Sequence, residues 1–239
     1  MKPGDLLYEG KAKQIFLTDD PELVRVKYKD SATAFNGEKK ATLAGKGELN
    51  NRISAWFFRD LSEQGIPNHF VRMISPLEQL VKKVTIIPLE VVVRNVVAGS
   101  LSKRLGLSEG TPLESPVVEF YYKNDELGDP LLNEDHIFIL KLAEPEMLRT
   151  IREMALKINE RLTAVMKDKG IRLVDFKLEF GIDAQGNLVL ADEISPDTCR
   201  FWDVSTGDRL DKDRFRRDLG DVVESYREIW NRLGGDRDV

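Results

Sequence analysis

In VDFKLEFG, residues 174–181, charged and apolar side chains alternate without a break: Asp175, Lys177 and Glu179 interleave with Phe176, Leu178 and Phe180. A period of two is that of a β-strand, so the apolar set faces a core and the three charges share the opposite face. The turn formers Gly181, Asp183, Gly186 and Asn187 come next, and residues 188–190 resume a β-prone apolar pattern. The run predicts a hairpin whose loop is longer than the tightest class and which returns Asp192 to the neighbourhood of Glu179 and Asp175. Three carboxylates and a lysine then share one patch. Such a patch is either a solvated antiparallel face or a cation site, because clustered carboxylates repel one another and hard oxygens suit Mg²⁺. A Mg²⁺ held by one or two carboxylates completes its shell with water and nucleotide phosphates. The hairpin therefore predicts an ATP site.

Composition narrows the chemistry that can accompany it. The single cysteine, Cys199, excludes an intrachain disulfide and a cysteine-rich zinc site. The two histidines, His69 and His136, stand in unrelated contexts and give imidazole metal binding or a Ser-His-Asp triad little to build on. Catalysis must rest on carboxylates, lysines and arginines. A net charge of −5 argues against a nucleic-acid surface, so an anionic substrate is met locally. No segment approaches the ~20 apolar residues of a membrane span; the longest candidate is broken by Pro88, Glu90 and Arg94. The opening MKPGDLLYEG has no signal-peptide core, and a cytoplasmic location is expected.

Along the chain, strands come first and helices later, which predicts an α+β class of two lobes with a cleft. Residues 1–85 form a β-rich N-terminal lobe with a hairpin over the phosphates, and 86–239 a larger α+β lobe with the metal-binding hairpin and a C-terminal helix. LLYEGKAKQIFLT and LVRVKYKD read as strands, as do HFVRMI, QLVKKVTII and LEVVVRNVV. Leu49, Ile53, Trp56, Phe57 and Leu61 fall at helical spacing, and a long helix is expected over 146–169. Residues 106–135, rich in Gly, Pro, Ser, Asn and Asp, read as a long, partly irregular connection. Phe215, Leu219, Val222, Tyr226, Ile229 and Leu233 predict one C-terminal helix, capped by Asp211 or Asp213 and stopped at Gly234.

Four further segments carry candidate chemistry. In YEGKAKQIF, Gly10 sits at a hairpin tip with Lys11 and Lys13 on one face and Ala12 on the other. The lysines either neutralise phosphate oxygens or make an exposed turn. In PLEVVVRNVVAGSLSKRLG, Arg94 and Ser100 flank a strand-to-helix junction that would receive an anion such as a sugar phosphate, or Ser100 is an ordinary first-turn residue. Arg200 in SPDTCRFWD clamps a second anionic group or pairs with Asp197 or Asp203. YYKNDELGDP offers Lys123 and Asp129 if that loop borders the cleft. DKDRFRRD reads as a solvated helix face.

PLEVVVRNVVAGS and LVDFKLEFG resemble the two signature segments of the SAICAR synthetases, the phosphoribosylaminoimidazole-succinocarboxamide synthases. LYEGKAKQIF, VVRNVVAGSLSKRLG, KND, DEISPDTCRFWD and DKDRFR follow in the family's order, so the resemblance spans nearly the whole chain. It implies a two-lobed SAICAR synthetase-like fold related to ATP-grasp enzymes. The implied activity is a ligase of purine biosynthesis that joins the carboxylate of carboxyaminoimidazole ribonucleotide (CAIR) to the amine of L-aspartate, with ATP giving ADP and phosphate.

Transferred to this sequence, Lys11, Ala12 and Lys13 line the nucleotide phosphates and Lys82 lies near the adenine. Glu179 and Asp192 hold Mg²⁺, with Asp175 close by. Arg94, Ser100 and Arg200 receive the ribonucleotide, and Lys177 lies near the reacting carboxylate. Asp129, Lys123, Lys212 and Arg216 are the candidates for further substrate contacts, including the aspartate pocket, and Asp175 or Asp129 for accepting the ammonium proton. Cys199 departs from the smaller residue common there in the family. Homodimers are expected from the same resemblance. From the residues alone, a small-molecule kinase and a nucleotide-sensing module remain as rivals; the second phosphate site disfavours a sensor.

Overall fold

The computed structural model describes residues 4–34 and 38–235. β1 (Leu6–Glu9), β2 (Lys13–Leu17) and β3 (Leu23–Tyr28) pair antiparallel in succession. Val24, Val26 and Tyr28 are buried, as their alternation with Arg25 and Lys27 predicts. β4 (Ser31–Ala34) pairs with β5 (Lys39–Thr42), and α1 (Lys46–Glu63) buries Leu49, Ile53, Phe57 and Leu61. β6 (Phe70–Ser75) and β7 (Glu78–Lys82) complete a five-stranded sheet in the order β1-β2-β3-β7-β6.

The second sheet begins with β8 (Thr85–Val96) and continues, after α2 (Gly99–Leu105), with β9 (Pro112–Tyr122) and β10 (Leu131–Leu132). α3 (Glu134–Ile139) and α4 (Pro145–Asp168) lead to β11 (Ile171–Ile182), β12 (Leu188–Ala191) and β13 (Cys199–Asp203). The order is β10-β9-β8-β11-β12, with β13 also on β11. α4 covers one face: Leu148, Ile151, Ile158 and Leu162 belong to the same buried cluster as Leu89, Val91 and Val93 of β8 and Phe176, Leu178 and Phe180 of β11. Each such side chain contributes about 1.5–3 kcal/mol when fully buried. α1 joins this cluster too, so the large core takes a helix from the first third of the chain.

The outer edge of β11 is shared. β13 pairs with its residues 171–176 and β12 with 179–182, and in the gap the amide of Lys177 donates to Thr198 O at 2.8 Å. The chain leaves β12 through Asp192, whose φ of 59° turns it out of the sheet plane. Residues 192–198 thus project over the charged face of β11.

Three expectations are corrected. Residues 106–135 are not a long connection, because β9 is an eleven-residue strand inside the sheet. Its Pro116 lies on an edge that β10 does not reach, since β10 pairs only at Phe120 and Tyr121, so the missing N–H leaves no partner unsatisfied. QLVKKVTII is cut at Lys83–Val84: its first half is β7 in one sheet and its last residues open β8 in the other. The C-terminal helix is two, α5 (Asp213–Arg216) and α6 (Val222–Leu233), because Asp218, Gly220 and Asp221 all take positive φ. Neither Asp211 nor Asp213 caps α6; Asp221 precedes it, and Leu219 is exposed.

Candidate active site

A cavity of 740 Å³ lies between the two sheets, lined by β2, β3 and β7 on one side and by β8, β11 and the 192–200 segment on the other. Of the residues singled out above, Lys11, Ala12, Lys13, Lys82, Arg94, Lys123, Asp129, Asp175, Lys177, Glu179, Asp192, Arg200, Lys212 and Arg216 all line it. Ser100 does not; its hydroxyl accepts from Arg94 Nη2 at 2.9 Å and Arg104 Nη1 at 3.2 Å, behind the wall.

One end is apolar, walled by Ile15, Val24, Val26, Val81, Val84 and Ile86, with Lys82 at its rim 3.6 Å from Asp183. Such a slot suits a flat heteroaromatic ring. His69 is buried beside it with Nε2 unpartnered, and burial holds its pKa down to about 3, so the ring is neutral.

The middle is a lysine–carboxylate centre. Glu90 and Glu179 stand directly opposite each other on β8 and β11, a pairing of like charges that Lys177 neutralises, its Nζ 2.8 Å from one and 2.7 Å from the other. Lys123 reaches Glu179 at 2.8 Å. Lys13 pairs with Asp192 and lies 3.3 Å from Glu193. Burial opposes the charge on Lys13 and on Lys177, but Asp192 with Glu193, and Glu179 with Asp192 and Glu90, outweigh it and hold both ammonium groups protonated. Burial likewise opposes the Asp192 carboxylate, and Lys13 and Lys177 pull its pKa well below the usual range. Lys11 reaches Asp125 at 2.9 Å on the exposed rim.

The far end is an arginine centre. Asp175, buried, accepts from Arg94 Nη1 at 2.9 Å and from Arg200 Nη1 at 2.9 and 3.0 Å. Arg94 spends its other donors on Glu119, Ser100 and Tyr121. Arg200 Nε donates to Asp213 at 2.9 Å, and Asp213 also takes Arg216 at 2.6 Å. The single patch of three carboxylates is therefore divided: Asp175 faces two guanidinium groups, while Glu179 and Asp192 face lysines. Arg200 pairs with Asp175 and Asp213 rather than with Asp197 or Asp203. Nor is DKDRFRRD a wet helix face, since Asp211 and Asp213 are buried and Lys212 and Arg216 look into the cavity.

Glu179 and Asp192 offer hard oxygens to a Mg²⁺. Among the described residues no group of three or more His, Cys, Asp or Glu converges on one point. The chain would supply two carboxylates to a Mg²⁺, an ion that ordinarily keeps water and phosphate oxygens among its ligands. The donor set fits on those terms.

Sequence reading missed Glu90, Lys46, Asp213 and Glu119. Glu90 was legible, because Glu90, Val92 and Arg94 alternate with the buried face of β8. Lys46, fully buried on Asp197 at 2.5 Å, and Glu119, between Arg94 and Arg104, left no local signal.

A sequence model of the SAICAR synthetase family matches residues 6–233. The chain is 63% identical over 232 residues to a phosphoribosylaminoimidazole-succinocarboxamide synthase of Bacillus subtilis (strain 168), covering 97% of this chain and 96% of that one. Its fold superimposes on the crystal structure of phosphoribosylaminoimidazole-succinocarboxamide synthase from Ehrlichia chaffeensis with a TM-score of 0.95 at 52% identity, covering 97% and 99% of the two chains. A SAICAR synthetase in complex with ADP matches with a TM-score of 0.93 at 54% identity, over 96% of this chain and 97% of that one.

Proposed function

The chain belongs to the SAICAR synthetase family, and from that premise we propose how its own residues divide the work of the reaction. It is a carbon–nitrogen ligase of purine biosynthesis that condenses CAIR with L-aspartate to SAICAR, converting ATP to ADP and phosphate. The kinase and sensor readings fall with that membership. The observation that carries the division of labour is one continuous cavity holding an apolar slot, a lysine–carboxylate centre and an arginine centre in that order.

A carboxylate is a poor electrophile because its leaving group is oxide. ATP converts that oxygen into a phosphate, giving an acyl phosphate, which requires in-line placement and neutralised phosphate charge. The apolar slot with Lys82 takes the adenine. Lys11, Ala12 and Lys13 cover the phosphates from the β1–β2 hairpin, and Lys123 and Lys177 approach from the opposite wall. Glu179 and Asp192 would hold Mg²⁺, which when bound would neutralise phosphate charge during phosphoryl transfer. Arg200, and Arg94 acting largely through Asp175 and Ser100, meet the ribonucleotide phosphate. Arg216 and Lys212 border the space left for aspartate, with Asp129 across the cavity. The same reading carries a cytoplasmic homodimer.

Purified protein given Mg²⁺-ATP, CAIR and L-aspartate together, and then with each omitted, tests the reading. ADP and SAICAR in equal amounts only in the complete mixture are expected. ADP formed without aspartate, with a stable phosphorylated product accumulating, would show that the second half of the reaction is misread.

A further inference from the structure

Among the lysines that line the cavity are Lys13, Lys123, Lys177 and Lys212. Three are locked to carboxylates by ion pairs, Lys13 to Asp192, Lys123 to Glu179 at 2.8 Å, and Lys177 to Glu90 and Glu179. Lys212 differs. Among the described residues its Nζ has no carboxylate within ion-pair range and no hydrogen-bond partner.

The reason lies in the neighbouring carboxylate. Lys212 is tied by its amide to Pro196 O at 3.0 Å, which sets it beside Asp197. Asp197 gives its hydrogen bonds to others: Oδ2 takes Lys46 at 2.5 Å and Asn50 at 3.0 Å, and Oδ1 takes Tyr226 at 2.7 Å, so Lys212 acts on it by charge alone, without a direct contact. The charged groups around Lys212 are Glu193 and Asp197 from the segment after β12, Lys46 from α1, and Arg216 and Asp213 from α5, with Asp213 bound to Arg200 and Arg216. Tyr226 of α6 is spent on Asp197. Burial is the strongest influence, and with Arg216 and Lys46 it overcomes Asp197 and Glu193 and lowers the Lys212 pKa, whereas the three locked lysines are raised.

The geometry points to Lys212 as the proton acceptor for the attacking amine of L-aspartate, an assignment that rests on the ligase reading above. Aspartate arrives as an ammonium and has no lone pair to attack with. In its unprotonated form, which burial favours, Lys212 takes one of the ammonium protons, and the freed pair forms the N–C bond at the acyl carbon. The C–O bond to the phosphoryl group then breaks with its electron pair on the departing phosphate. The second nitrogen proton goes to that phosphate as the amide forms. Lys212, now an ammonium, returns its proton to water through the open cavity. A lysine clamped on a carboxylate is held protonated and cannot begin this sequence.

The test is Lys212→Arg in the full chain, since a guanidinium keeps positive charge and reach but stays protonated at any working pH. With saturating Mg²⁺-ATP and CAIR, kcat for aspartate should fall about 10²- to 10⁴-fold, the usual contribution of a positioned base. KM for aspartate and the affinity for ADP should stay within about threefold of the parent, the change expected when uniform binding is untouched. In the parent, kcat should climb with pH to a plateau; in the variant the plateau should vanish and the rate track hydroxide. Lys212→Gln should share the kcat defect. A kcat within about threefold of the parent, or a loss carried by KM for aspartate, would make Lys212 a binding group and overturn the assignment. So would ADP affinity falling in step with activity in both variants, which marks a structural role. A parent enzyme that makes no SAICAR would instead overturn the ligase reading itself.

Discussion

Gly99 and Arg200 compete for one volume: a methyl group on Gly99 would fall 2.6 Å from Arg200 Nη2 and 2.9 Å from its Cζ. Gly99 opens α2 with a φ of 54°, a conformation that costs an L residue about 1–2 kcal/mol. Gly99→Ala should therefore displace the guanidinium as well as strain the backbone. We expect KM for CAIR to rise on the order of tenfold or more, the equivalent of one lost charged contact, with KM for ATP unchanged. An unaltered KM for CAIR in the folded variant would show that Arg200 has another place to go.

Glu179→Gln removes a carboxylate that two lysines share and that Mg²⁺ would use. Electrostatic groups at such sites are worth about 10²- to 10³-fold in rate. A loss of that size, partly restored by raising Mg²⁺, is expected in steady-state assays, with a native circular-dichroism spectrum. Near-parental turnover at ordinary Mg²⁺ would remove Glu179 from the metal site.

Asp175→Asn leaves Arg94 and Arg200 facing a neutral amide. Breaking a buried ion pair from one side costs about 3–5 kcal/mol, on the order of 10 °C in melting temperature for a chain of this size. Calorimetry should show that loss, and assays a raised KM for CAIR with an unchanged pH–rate profile. A shifted profile would instead make Asp175 the proton acceptor.

Asp211 is fully buried, and burial, reinforced by the charge of Asp213, pushes its pKa up to about 7. Unfolded, an aspartate titrates near ~3.9. The folded state thus holds a proton that the unfolded state has released, so this contribution to stability is full below pH ~4, declines as pH rises, and is gone above about 7. The total is at most on the order of 4 kcal/mol. Denaturant melts should show stability falling between about pH 4 and 7, the span between the unfolded and folded pKa values, and Asp211→Asn should flatten the slope. A slope unchanged in the variant would assign it to other groups.

Much of the fold was legible because the local pattern and the tertiary environment agree. Phe176, Leu178 and Phe180 alternate in the sequence and are buried together, and the stripe from Leu148 to Met166 meets the sheet as its spacing predicts. β9 was hidden because Pro112 opens it and Glu114, Ser115 and Pro116 are exposed, where they do no harm. The break between α5 and α6 was hidden because helical spacing continues through Leu219 while the backbone at Asp218, Gly220 and Asp221 does not.

The sequence by itself determined which residue types are present for chemistry, the strand that carries Asp175, Lys177 and Glu179, and the family. Which carboxylate meets which cation was decided only by tertiary structure. Partners such as Lys13 with Asp192, Lys46 with Asp197 and Arg94 with Asp175 stand 179, 151 and 81 positions apart. Their pairing depends on two sheets closing over one cavity and on an edge of β11 split between β12 and β13. Coulomb energy and desolvation depend on distance and burial through space, and neither is written in the spacing of residues along a chain.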